Sequence, residues 1–211
     1  MIALIAGSSG LVGRHLTELL LNDPAYDAVY TLVRQAGRVA AHPTLHEIVF
    51  DFDTFTPTLP QADHVFCCLG STMAKAGSKE AFSRIDHDYP VRLGEVCRQA
   101  GSRVYALVSA MGANSHSGIF YNKVKGQTEA DLGQLGYAYL GIFRPSMLLG
   151  ERTENRPAER MGQAVMKALH FLIPARYKAV DAGAVARAMR DYAANPAPGI
   201  SIMESDEIRR H

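Results

Sequence analysis

The sequence predicts an α/β fold: a doubly wound parallel sheet with helices on both faces. Three observations carry this. Strand-like apolar runs alternate with longer helix-periodic stretches. Runs such as YALVSA (105–110) and HVFCCL (64–69) are apolar without alternation, as strands buried on both faces are. The first run leads straight into a glycine-rich turn that opens a helix, the start of a β–α–β unit.

In chain order, strands are expected near Ile2–Ala6, Ala28–Val33, Leu45–Phe50, His64–Leu69, Val104–Ser109 and Ala138–Phe143, with a short last one at Gly199–Met203. Helices are expected near Leu11–Leu21, Ser78–Ile85, Pro90–Ala100, Ile119–Leu135, Ala158–Phe171 and Ala182–Ala194. Pro90 suits a first helical turn, where its missing N–H would have had no partner. Asp181 suits an N-cap, with a carboxylate to accept from the first amides. The alternation weakens after Arg144. One domain over residues 1–211 is therefore expected, with 145–211 forming a small substrate-side cap.

The chain has 211 residues, 47% of them hydrophobic and 20% charged, an ordinary globular balance. A formal net charge of +1 supplies no field for nucleic acid or an anionic membrane. No apolar run reaches the roughly 20 residues of a membrane span. The N-terminus has no basic segment before its apolar run, so no signal peptide is read. Cys67, Cys68 and Cys97 form no metal-ligand spacing, and read as structural thiols of a cytoplasmic protein.

In GSSGLVG (7–13), Gly7, Gly10 and Gly13 follow the first strand at intervals of three. Gly7 permits a tight turn, Gly10 a close approach of backbone to a pyrophosphate, and Gly13 close helix–sheet contact. Ser8, Ser9, Leu11 and Val12 complete the loop, and the helix start offers unpaired amides to phosphate. The spacing differs from the commoner G-x-G-x-x-G, and no Gly-Lys-Ser/Thr follows, which excludes a Walker A loop. A Gly/Ser turn with no ligand is the alternative.

The end of the second strand discriminates the cofactor. An NAD site usually places a carboxylate there, but this strand ends in TLVRQAGR. Arg34 suits a 2′-phosphate, with Arg38 and the loop serines assisting, so NADP(H) is expected over NAD(H). A solvated surface arginine is the alternative. Asp51, after the third strand, is placed near the adenine, with a solvated loop aspartate as the competing reading. In CLGST (68–72), Leu69 and Gly70 fall where the backbone passes the cofactor at the strand C-termini.

Tyr121 and Lys125 are four apart on an expected helix and so share a face. A phenol with a reference pKa near 10 is a poor proton carrier at neutral pH, and a neighbouring ammonium lowers that value. Ser109, at the end of the fifth strand, is the candidate to orient a substrate oxygen. A helix-surface pair with Tyr121 packed on the sheet is the alternative.

The stretches GSSGLVG, CLGSTMAKAGSKEAFSRIDHDYP, LVSAMGANSHSGIFYNKVKGQTEADL and GIFRPSMLLGERTENRP resemble the short-chain dehydrogenase/reductase superfamily. The finer match is to its atypical branch, the Tat-interacting-protein-like oxidoreductases and their bacterial relatives. The resemblance covers most of residues 1–157. It implies a Rossmann fold, NADP(H), and Ser109, Tyr121 and Lys125 as the matched triad. It also implies that FRPSML (143–148) passes over the nicotinamide end, with Arg144 and Pro145 at the cofactor. Asp86 in SRIDHD stands nearest to a fourth polar residue, often asparagine in the superfamily.

Arg144, Arg152, Arg156 and Arg160 interleave with Glu151, Glu154 and Glu159, which reads as a salt-bridged surface; a grip on an anionic substrate is the sharper alternative. The short C-terminal part disfavours sugar nucleotides. The expected function is an NADP(H)-dependent oxidoreductase acting on a small carbonyl or alcohol. The other class is an NADP(H)-binding regulator that presents a surface to a protein partner without turnover; an epimerase or dehydratase comes third. A homo-oligomer is left open.

Overall fold

A computed structural model describes residues 1–37, 41–149 and 177–211. Its sheet has seven parallel strands in the order β3-β2-β1-β4-β5-β6-β9. These are β1 (Ile2–Ala6), β2 (Ala28–Val33), β3 (Leu45–Val49), β4 (His64–Cys67), β5 (Val104–Val108), β6 (Tyr139–Arg144) and β9 (Gly199–Glu204). A separate ribbon pairs β7 (Leu148–Leu149) with β8 (Val180–Asp181).

Residues alternate between two cores because successive strand side chains point to opposite faces. Ala3 and Ile5 of β1 face a layer that includes Leu16 and Leu20 of α1 (Leu11–Leu21) and Val185 and Met189 of α6 (Ala182–Ala194). Leu4 and Ala6 face the opposite layer, with Leu93 of α4 (Tyr89–Gln99) and Leu132 of α5 (Phe120–Gln134). Each such fully buried leucine contributes about 1.5–3 kcal/mol relative to exposure. The strand order reverses between β1 and β4, which puts the crevice of the fold at their C-terminal ends.

One expectation needs correction. The expected helices at Ser78–Ile85 and Pro90–Ala100 are one run: α3 (Lys79–Ser83), a π turn over Arg84–Asp88, and α4. Pro90 is the cause. Without an N–H it cannot donate to the Asp86 carbonyl four residues back. Thr128 Oγ1 of α5 donates to that carbonyl instead, at 2.8 Å, while the Tyr89 N–H reaches back five residues to Arg84 O. A short α2 (Met73–Ala76), capped by Thr72, was not anticipated.

Of the stretch 145–211, expected to contribute a cap, the structure describes 145–149 and 177–211. Among those described residues, a strand and a helix belong to the sheet and its helix layer. β9 pairs with β6 along its length, and α6, capped by Asp181 as expected, packs in the same core as α1. α7 (Ser205–Ile208) follows β9, with Ile208 fully buried. The expected helix at Ala158–Phe171, with Arg38, Arg152, Arg156 and Arg160, lies outside the described residues.

Candidate functional site

Gly7 has φ +86, and a Cβ there would stand 2.6 Å from the Cys68 carbonyl. A Cβ on Gly13 would stand 2.1 Å from Gly7 O. These two glycines let strand, turn and helix lie against one another. Gly10 caps α1 and donates to Gly7 O at 3.0 Å. The first turn of α1 has neither a side-chain cap nor an acidic residue, so its leading amides keep their positive end for an anion. Ser8 is buried, and its Oγ has no hydrogen-bond partner among the described residues. Ser9 is exposed, Leu11 half-buried and Val12 buried. A glycine cradle, an uncapped helix start and an orphan hydroxyl fit the diphosphate of a dinucleotide.

Arg34, directly after β2, is exposed and lines an open groove of about 570 Å³ with Val49, Phe50, Asp51, Thr56 and Pro57. Two carboxylates on this side are held by protein amides. Glu47 of β3 accepts from the Gly37 N–H at 2.6 Å. Asp51 accepts from the Asp53 N–H at 2.8 Å and from Thr54 Oγ1 at 2.9 Å, and these bonds lower its pKa. Asp51 therefore shapes the groove wall with a carboxylate tied into its own turn.

The chain leaves β4 through Cys68, Leu69 and Gly70. Gly70 packs on a buried ion pair: a Cβ there would lie 3.4 Å from Asp86 Oδ1 and 3.7 Å from Lys125 Nζ. Lys125 Nζ and Asp86 Oδ1 are 2.7 Å apart, with side chains 6% and 0% exposed. Asp86 Oδ2 also accepts from the Ser71 N–H at 2.8 Å. Burial works against the charge on Lys125, but Asp86 and, after it, Tyr121 outweigh that and raise its pKa. Tyr121, one turn earlier on α5, is half-buried, its ring 5.5 Å from that of Phe82. Gly126 lets α5 lie flush on the preceding loop, since a Cβ there would stand 2.2 Å from Asn114 C.

One turn beyond Lys125 is Glu129, which the sequence reading did not single out. Ser109 Oγ donates to Glu129 Oε1 at 2.5 Å. Arg144 grips the same carboxylate with two bonds, Nε to Oε1 at 3.0 Å and a terminal nitrogen to Oε2 at 2.5 Å, and its other terminal nitrogen meets Glu204 at 3.1 Å. Hydrogen bonding to Glu129 is the leading cause of a raised Arg144 pKa. Ser109, assigned to a substrate oxygen, gives its proton to Glu129. Arg144, assigned to the cofactor, is clasped between two carboxylates; Glu151, Glu154 and Glu159, read as its salt-bridging neighbours, lie outside the described residues. Pro145 O accepts from the Met111 N–H at 2.9 Å, joining the β6 exit to the β5 exit. The signal for Glu129 was available: Tyr121, Lys125 and Glu129 recur every four residues, a single stripe on α5.

An NAD(P)H-binding family profile matches residues 7–168. Protein HTATIP2 of Rattus norvegicus is 32% identical over 210 residues, covering 97% of this chain and 86% of that protein. The mitochondrial protein fmp52 of Aspergillus fumigatus is 35% identical over 167 residues, covering 75% and 70%. Among solved structures, MoeE5 in complex with UDP-glucose and NAD superposes with a TM-score of 0.72 at 18% identity, over 99% of this chain and 79% of that one. The oxidoreductase ylbE of Lactococcus lactis superposes with a TM-score of 0.68 at 16% identity, over 100% and 95%. At these identities the two structures speak for the fold alone. No helix among the described residues is long and apolar enough to cross a membrane.

Proposed function

The chain belongs to the HTATIP2-like branch of the atypical short-chain dehydrogenases/reductases, and on that premise we propose that it is an NADP(H)-dependent oxidoreductase acting on a small carbonyl or alcohol. Bound at the glycine loop, the nicotinamide cofactor supplies or accepts a hydride. The observation that carries the reading is Lys125: a buried ammonium, held charged, on the same face of α5 as the Tyr121 phenol and against the loop that leaves β4.

In this reading Gly7, Gly10, Gly13 and the first amides of α1 bind the diphosphate, with Ser8 as a further donor. Tyr121 holds the proton that moves to or from the substrate oxygen. Lys125 stabilises the phenolate form and donates to the nicotinamide ribose. Ser109 acts through Glu129, keeping the β5 exit and α5 in register, so Tyr121 takes the main part in orienting the substrate oxygen.

The cofactor preference rests on Arg34. It stands where an NAD site would carry a carboxylate, on a groove whose one lining carboxylate among the described residues, Asp51, is bound to an amide. Arg34→Ala is expected to weaken NADPH about tenfold or more and leave NADH nearly unchanged, consistent with loss of one bidentate charge-assisted contact. Equal loss for both cofactors would remove Arg34 from the role. The cysteines, Cys67 and Cys97 buried and unbridged, support a cytoplasmic setting.

The reaction class is tested by mixing purified protein with NADPH and a panel of aldehydes, ketones and quinones while following the cofactor's absorbance. Oxidation with at least one of them is expected. Clear NADPH binding with no oxidation by any member would replace the oxidoreductase with a cofactor-binding regulator or with an epimerase or dehydratase that recycles its cofactor, which product analysis tells apart.

A further inference from the structure

The turn after β3 is held more firmly than its exposure requires. Asp51 and Thr56 close it as an isolated antiparallel bridge, the Asp51 N–H donating to Thr56 O at 2.9 Å and the Phe55 N–H to Asp51 O at 2.7 Å. Phe55 has φ +61, the one left-handed non-glycine residue among those described. A bulky side chain is strained there and persists only where its surroundings hold it. The residues that follow it, Thr56 and Pro57, line the open groove with Arg34 and Asp51. The strained residue is therefore the one that brings the chain back to the groove wall.

What holds it comes from outside the groove. The Phe55 ring meets Phe50 and Phe52 edge-on, with ring centres 5.3 and 5.9 Å apart. The Arg92 guanidinium of α4 covers the Phe55 ring at 4.3 Å, and Arg92 also donates to Asp53 O at 3.3 Å. One turn earlier on α4, Tyr89 stacks on Phe52 with centres 5.3 Å apart, and its hydroxyl donates to Asp53 Oδ1 at 2.6 Å. Burial and the Asp53 carboxylate push the Tyr89 pKa up to about 12, so at neutral pH the phenol keeps the proton it donates. Arg84 stands 3.6 Å from the same Asp53 oxygen. Neither Tyr89 nor Arg92 lines the groove itself.

The groove lies beyond the ends of β2 and β3, beside Arg34, where the adenosine end of a dinucleotide belongs. A wall fixed in advance spares the ligand the cost of ordering a loop. We propose that Tyr89 and Arg92 are positioning residues for cofactor binding: from α4 they lock the 51–56 turn, so that it meets the adenosine half of the cofactor preformed. The proposal rests on the pyridine-nucleotide reading of the glycine loop, and its test requires no turnover.

The experiment titrates three probes calorimetrically: ADP, 2′,5′-ADP and NADPH. Wild type is expected to bind all three. Tyr89→Phe, which keeps the ring and loses the bond to Asp53, and Arg92→Gln should each weaken all three by a similar factor, about threefold to tenfold, the scale of one lost hydrogen bond. Two controls place that effect. Arg34→Ala should weaken 2′,5′-ADP and NADPH and leave ADP nearly unchanged, and Lys125→Met should weaken NADPH alone. Thermal melts identify any variant that fails to fold. In that event Asp53→Ala replaces it, removing the Tyr89 acceptor at a side chain that is 62% exposed, with the same outcome expected. Folded variants that bind ADP as wild type does overturn the proposal, whatever their melting temperature. A loss confined to NADPH also overturns it, since the effect would then lie at the nicotinamide end. Wild type that binds NADPH but not ADP would remove the adenosine seat from this groove. No NADPH binding by wild type would instead sink the cofactor reading itself.

Discussion

The two halves of the crevice are built on different principles. On the β1–β3 side the work is done by backbone: a left-handed Gly7, a Gly13 that could carry no side chain, and a helix start with no side-chain cap. On the β5–β6 side it is done by paired side chains: Lys125 with Asp86, and Ser109 and Arg144 with Glu129. The first half is rigid because any added atom would collide. The second is rigid because each buried charge has a partner whose loss would be costly. The two should therefore fail in different ways, the first by steric exclusion at any pH and the second by electrostatics.

The largest effect should come from the steric half. Gly13→Val places carbon against Gly7 O, where even a bare Cβ would sit at 2.1 Å, so the turn must open. Overpacking of this severity costs about 3 kcal/mol or more, and NADPH binding should vanish with it. Melting temperature and cofactor fluorescence check both. Gly10→Ala sharpens the contrast: its Cβ would stand 3.2 Å from Gly7 O, so the fold should survive while NADPH binding weakens. Equal damage from the two substitutions would show that the loop is not shaped around a ligand.

Next comes the electrostatic half. Glu129→Ala removes the acceptor of Ser109 and the main partner of Arg144, whose side chain is 21% exposed. Breaking such a pair from one side costs about 3–5 kcal/mol when buried; the partial exposure of Arg144 and its remaining bond to Glu204 favour the lower figure. Removing Arg144 as well should add less than its own single loss, a coupling that a double-mutant cycle by urea unfolding reads directly. Strict additivity would mean that the clasp contributes nothing as a unit.

The smallest effect belongs to the outer clasp beside Asp86. His87 bridges Asp88 at 2.7 Å and Asp131 at 2.8 Å, tying the π turn to α5 from the solvent side. Burial opposes its charge, but the two aspartates prevail and raise its pKa. A raised folded-state pKa gives stability that is complete below the unfolded value and lost as pH rises through the folded one. His87→Ala should thus destabilise by up to about 1 kcal/mol near pH 5.5 and by less near pH 9. A deficit that grows with pH would reverse the sign and reject the bridge.

The same contrast explains what the sequence disclosed. The glycine loop was legible because collision leaves glycine as the only solution, and β1, α1, β2 and α6 fell where apolar periodicity put them. The stripe Tyr121–Lys125 was legible because both residues sit on one helix. Partners chosen across the fold were not. Ser109 meets Glu129 20 positions away, and Arg144 meets Glu204 60 positions away. The π turn was hidden for the same reason. Pro90 marks a helix boundary in sequence, while in the fold the hydroxyl of Thr128, 42 positions from Asp86, reaches the carbonyl that Pro90 leaves without an amide. Fading alternation after Arg144 suggested a cap because β9 is an edge strand with Ile200 and Ile202 exposed, and so lacks the apolar density of the inner strands.

The central claim is that Tyr121 carries the proton in a pyridine-nucleotide reaction, and Tyr121→Phe tests it most directly. With the substrate that wild type turns over best, the variant should bind NADPH with nearly unchanged affinity and lose turnover by about a hundredfold or more, the scale of general acid–base catalysis. Turnover that persists at the wild-type level, with binding intact, would contradict it.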